Sequence, residues 1–85
     1  MHNTHPLVSI IIINFNGKQY LKKCFDSLLN GTYKNIELIF VDNGSSDGSL
    51  EFVRQNYPAA RLLDNKENLG LAIASNRGAA VGGGK

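Results

Sequence analysis

The chain has 85 residues, 42% of them hydrophobic and 19% charged, and carries a net charge of +2. That length allows one small domain, which buries about 60–65% of the surface its unfolded chain exposes. Lysines and arginines are scattered from Lys18 to Lys85 and form no block, which argues against a nucleic-acid partner.

The single cysteine, Cys24, excludes an internal disulfide and suits a reducing, cytoplasmic setting. The apolar run at residues 10–13 falls far short of the ~20 residues of a membrane span. Residues 1–6 have neither the charged nor the apolar region of a signal peptide. Any membrane association of the parent protein would therefore use other parts of it.

In chain order, residues 1–6 form a polar tail, in which His2 and His5 are metal donors in principle and disordered tail residues by the simpler reading. Residues 7–85 form the domain. Residues 8–13 are a nearly unbroken β-branched run, the mark of a strand buried on both faces. Residues 14–17, Asn-Phe-Asn-Gly, end it.

The period then changes. Leu21, Cys24, Phe25, Leu28 and Leu29 line one face of a helix over residues 18–30, stopped by Asn30-Gly31. Residues 36–41 read as a second buried strand, followed by the loop Asp42-Asn43-Gly44-Ser45-Ser46-Asp47-Gly48. Leu50, Val53 and Tyr57 mark a second helix, which Ser46 or Asp47 caps and Pro58 ends.

Residues 61–64 give a weak third strand and residues 65–70 a loop. Residues 71–81 form a third helix, with Leu71, Ala74, Ser75, Gly78 and Ala79 as a small-residue packing face and Gly82-Gly83-Gly84 as its end.

The expected architecture is α/β: a Rossmann-like β-α-β-α-β-α unit with a short parallel sheet. Ligands of such sheets bind at the carboxyl ends of the strands, where all three polar loops fall. The first loop lacks G-x-G-x-x-G, which argues against NAD or FAD, and no P-loop is present.

Candidate chemistry sits in each loop. Phe15 is either a platform on which a base stacks or a core residue, with Asn14 and Asn16 as turn formers. Asp42 closes an apolar strand, and a carboxylate there can accept the ring N–H of uracil, thymine or guanine, whereas cytosine and adenine present an acceptor. Asn43 follows it and can both donate and accept. Asp47 fits a helix-capping role. Arg77 suits a diphosphate or a solvated surface equally well, and Asn76 lies beside it.

Three segments together carry a resemblance. Val8-Ser9-Ile10-Ile11-Ile12-Ile13-Asn14-Phe15-Asn16-Gly17 resembles the opening strand and loop of family 2 glycosyltransferases, which have the GT-A fold. Val41-Asp42-Asn43-Gly44-Ser45-Ser46-Asp47-Gly48-Ser49 resembles their second-strand loop, and Asn68-Leu69-Gly70 with Asn76-Arg77-Gly78 resembles a later pair of N-x-G segments.

The resemblance implies a nucleotide-diphospho-sugar donor, UDP- or dTDP-linked, held by Asn14, Phe15, Asn16, Asp42, Asn43, Asn76 and Arg77. It implies transfer to an acceptor glycan or other hydroxyl with inversion, and an Mg2+ or Mn2+ ion held by a D-x-D motif. No D-x-D occurs in the chain. The expectation is thus an N-terminal, donor-binding fragment that transfers no sugar alone. A non-catalytic α/β nucleotide-binding or interaction module is the alternative, and the open sheet edge would favour self-association.

Overall fold

The computed structural model describes residues 6–82. His2 and His5 of the tail, with Gly83 and Gly84 of the terminal glycine run, lie outside the described residues. Six elements follow in order: β1 (Val8–Asn14), α1 (Lys18–Leu29), β2 (Ile36–Asp42), α2 (Ser49–Asn56), β3 (Arg61–Asp64) and α3 (Leu71–Val81). The strands are parallel and lie in the order β1-β2-β3.

The period of two along each strand decides which helix covers which face. Ile10, Ile12, Ile36, Leu38, Phe40 and Leu62 face a core that includes Leu21 and Phe25 of α1 and Val53 of α2. Their neighbours Ile11, Ile13, Ile39, Val41 and Leu63 face Ala74 and Val81 of α3. Two right-handed crossovers stepping in one direction put α1 and α2 on a single face, as found. Tyr57 joins these two helices: its ring stacks on Phe25 at 4.4 Å, and its hydroxyl donates to Asp26 Oδ1 at 2.9 Å.

The two long strands differ in burial. Residues 38–42 of β2 are buried on both faces, but residues 8–13 of β1 are only half-buried. The expectation of full burial for the first strand is corrected here: β1 lies at an edge of the described sheet and has a neighbour on one side alone. Both strands also run one residue further than the apolar pattern indicated. Asn14 pairs with Asp42, and the Asn14 carbonyl accepts Asn43 N–H at 2.8 Å.

The packing face of α3 is corrected too. Ala74 and Gly78 are buried, whereas Leu71 is 72% exposed and Ala79 is exposed. Gly82 packs against Ser9 and Ile39 and Gly78 against Ile11 and Val41, so Ala74, one turn before Gly78, already lies toward the strand ends. A residue one turn earlier therefore overhangs the sheet, with no strand beneath it.

Candidate nucleotide site at the carboxyl ends of the strands

Parallel register brings Asn14, Asp42 and Asp64 into one row across the sheet. The loops that leave this row are tied to one another by side chains. Asn14 Nδ2 donates to Asp42 Oδ1 and to Ser45 Oγ, both at 3.1 Å. Ser45 N–H donates to Asp42 Oδ2 at 2.9 Å, and Ser45 Oγ accepts Asn16 N–H at 2.8 Å. Asn16, in the left-handed region at φ 52°, accepts Ser46 N–H at 2.8 Å. The first and second loops thus form one unit.

Asp47 extends that unit to two helices. Its Oδ2 accepts Lys18 N–H at 3.0 Å, and its Oδ1 accepts Ser49 N–H at 2.9 Å as well as the Ser49 hydroxyl. Gly48, not Asp47, is the N-cap residue of α2, with a left-handed φ of 87°. Asp47 acts from one position further out, and one carboxylate serves the N-termini of both α1 and α2. The Ser49 hydroxyl, helped by the backbone donors of Lys18, Ser49 and Asp47 itself, holds the Asp47 carboxyl below the usual aspartate range against the opposing effect of burial.

The second and third loops meet through Asn43. Its Nδ2 donates to Asn68 Oδ1 at 3.1 Å and to the Gly70 carbonyl at 3.4 Å. Its Oδ1 accepts Asn65 Nδ2 and Leu69 N–H, both at 3.1 Å. Gly44 permits this approach: a Cβ there would stand 2.7 Å from Glu67 Cα, and its φ of 84° also favours glycine. On α3, Arg77 reaches back toward the strand ends, as helical side chains do, and its Nη1 donates to Asn65 Oδ1 at 3.1 Å.

The seven candidate residues therefore fall into three groups. Asn14, Asp42 and Asn43 are buried and bind the loops together; Asp42 is 2% exposed. Phe15 and Asn16 lie exposed in the first loop, Phe15 at 53%. Asn76 is exposed on α3, and Arg77 borders an open hollow of about 240 Å³ with Leu63, Asp64, Asn65, Ala80 and Val81.

A second hollow of about 550 Å³ lies among Asn16, Lys18, Gln19, Lys22, Asp47 and Phe52, on the α1–α2 side. It touches the first loop but not Asp42 or Arg77, and so includes only one of the seven candidate residues, Asn16.

Sequence reasoning missed Ser45 and Asn65 as organisers of the rim. The signal for Asn65 was its place directly after a strand, matching that of Asn43 after β2. Among the described residues, no group of three or more His, Cys, Asp and Glu side chains could hold a metal ion. No helix of the described residues is long and apolar enough to cross a membrane.

Comparison with known proteins decides the family. The profile described as Glycosyl transferase family 2 matches residues 9–85. The chain belongs to glycosyltransferase family 2. Among its relatives, YibD, an uncharacterized glycosyltransferase of Escherichia coli K12, is 36% identical over 88 residues, covering 100% of this chain and 25% of YibD. The hyaluronan synthase of Pasteurella multocida is 40% identical over 77 residues, covering 87% of this chain and 8% of the synthase.

A solved structure, the mannosyltransferase PcManGT from Pyrobaculum calidifontis in complex with GDP-Man and Mn2+, matches with a TM-score of 0.85 and 26% identity. That match covers 94% of this chain and 25% of the mannosyltransferase. The fold is thus the corresponding part of a GT-A glycosyltransferase. The chain spans a quarter or less of each of these relatives.

Proposed function

We propose that the chain is the donor-nucleotide half of a sugar transferase, with the nucleotide lying along the rim made by the three loops, from Phe15 and Asp42 toward Arg77. The observation that carries this is the match, over nearly the whole chain, to a glycosyltransferase whose complex contains a nucleotide sugar. Phe15 supplies an exposed ring on which the base stacks. The two Asp42 oxygens each hold one donor and keep further lone pairs; with Asp42 2% exposed, a ring N–H reaches them as the first and second loops part around the base. Uracil and thymine carry such a group, and so does the guanine of the donor bound by the mannosyltransferase.

In the longer protein an acceptor hydroxyl would attack the anomeric carbon. The bond from that carbon to the diphosphate oxygen would break, with inversion; the nucleoside diphosphate would leave, and the hydroxyl's proton would pass to a general base elsewhere in the longer protein. The Mg2+ or Mn2+ that assists such departures needs a donor set that the described residues do not supply. The acceptor glycan or other hydroxyl, the cytoplasmic location and self-association through an exposed sheet edge belong to the same reading.

Calorimetric titration of the full 85-residue chain with UDP, dTDP, GDP, CDP and ADP tests it. Binding of one or more of the first three, with CDP and ADP at least about tenfold weaker, is the expected result. Equal affinity for all five would remove Asp42 from base selection, and no binding at all would contradict the reading.

A further inference from the structure

Asn43 stands where a nucleotide ligand was expected, yet its side chain has no free hydrogen-bonding capacity. A carboxamide offers two N–H donors and two acceptor lone pairs. Asn68 Oδ1 and the Gly70 carbonyl take both donors. Asn65 Nδ2 and Leu69 N–H fill both lone pairs. The residue is only 3% exposed.

Asn65, also buried, then accepts Arg77 Nη1 on its own Oδ1. A continuous line of hydrogen bonds runs from the end of β2, through the third loop, to a guanidinium on α3. Asn65 and Arg77 border the same hollow beside β3.

We propose that Asn43 and Asn65 are positioning residues of the donor site: the amide at position 43 fixes the third loop and, through Asn65, aims the Arg77 guanidinium into the hollow beside β3. This rests on the donor-nucleotide reading, since Arg77's remaining N–H groups are directed at acceptor atoms of that nucleotide. The chemistry at position 43 is specific. A carboxylate would set oxygen against Asn68 Oδ1 and the Gly70 carbonyl with no proton between them. A protonated carboxyl would restore one of those two donations.

Asn43→Asp is therefore a pH-dependent lesion. The other charged groups around position 43 are Asp42 beside it, Asp64 at the end of β3, Lys66 and Glu67 in the third loop, and Arg77. All of them are present in the parent chain too, so the comparison between the two proteins isolates the introduced carboxyl.

The first readout contains no nucleotide. Backbone amides of Leu69 and Gly70 and the Arg77 Nε–H are followed by NMR from about pH 4 to 8, a range that spans a buried carboxyl's titration. The expected result is near-parental positions at the acid end and displaced third-loop and Arg77 signals at the alkaline end. Signals that match the parent at both ends would overturn the proposal.

Should Asn43→Asp lack a dispersed spectrum, Asn65→Ala serves instead. It should move the Arg77 signal and leave Leu69 and Gly70 in place, and an unmoved Arg77 would equally overturn the proposal. The second readout is GDP and UDP affinity at the two ends of the range, relative to the parent at the same pH. A loss of about tenfold at the alkaline end, recovered at the acid end, supports the positioning role. Displaced signals with parental affinity would overturn that role alone. A parent chain that binds neither nucleotide would overturn the donor reading instead, and the first readout would still report on the hydrogen-bond line.

Discussion

Asp47 accepts the backbone N–H of Lys18 across 29 residues of sequence, so a side chain of the second loop caps the first helix. The same carboxylate accepts from Ser49 at the start of α2. Replacing Asp47 by Ala should destabilise the chain by about 1–2 kcal/mol, a typical capping loss, read as a lower urea midpoint at pH 7.

The pH dependence follows from the direction of the Asp47 shift. Its folded carboxyl titrates below the ordinary aspartate value of 3.8. Its contribution is thus fully present above that value and disappears as pH falls through the lower, folded pKa. The stability gap between the parent and Asp47→Ala should therefore narrow as pH drops from about 5 to 3. A gap that stays constant would contradict the capping role.

Gly78 sets how closely α3 approaches the sheet. A Cβ at that position would meet Ile11 Cγ2 at 2.6 Å and Val41 Cγ2 at 3.2 Å. Gly78→Val should destabilise by about 1–3 kcal/mol through overpacking, despite the usual penalty of glycine in a helix. Chemical denaturation measures this directly, and an unchanged midpoint would mean that the helix can stand off from β1 freely.

Gly44 offers a test of the rim rather than the core. Gly44→Ala combines a strained positive φ with a Cβ 2.7 Å from the Glu67 backbone. The second and third loops should separate, with amide shifts at residues 67–70 and weaker nucleotide binding. Parental shifts at those residues would show that the contact is not needed.

These effects show where the sequence was legible. The elements themselves and the buried stripe of α1 through Leu21 and Phe25 followed from periodicity, a rule local to a few residues, although Leu29 on the same predicted face is exposed. The shared edge of the three loops followed from parallel connectivity. What could not be read was which polar side chains would be consumed within the rim. The Asn43 partners lie 22 to 27 residues away in sequence, and no local pattern specifies them. Leu71 was misplaced for a related reason: the helical period gives a face but not where the sheet beneath it ends.

Phe15 separates binding from stability. At 53% exposed, its ring contributes little to the core. Phe15→Ala should leave the denaturation midpoint nearly unchanged and weaken nucleotide affinity by about tenfold, within the range of a base–aromatic stack. Phe15→Tyr keeps the ring face and should bind like the parent. A large stability loss in Phe15→Ala would instead assign the ring to packing.

The most direct test of the central claim is an amide-resolved NMR titration of the full 85-residue chain with GDP and with UDP. The donor-site reading predicts a dispersed spectrum in which at least one nucleotide shifts Phe15, Asn16 and the residues around Asp42, while the amino-terminal ends of the strands stay still. A dispersed spectrum that neither nucleotide perturbs, or shifts confined to the far edge of the sheet, would contradict it.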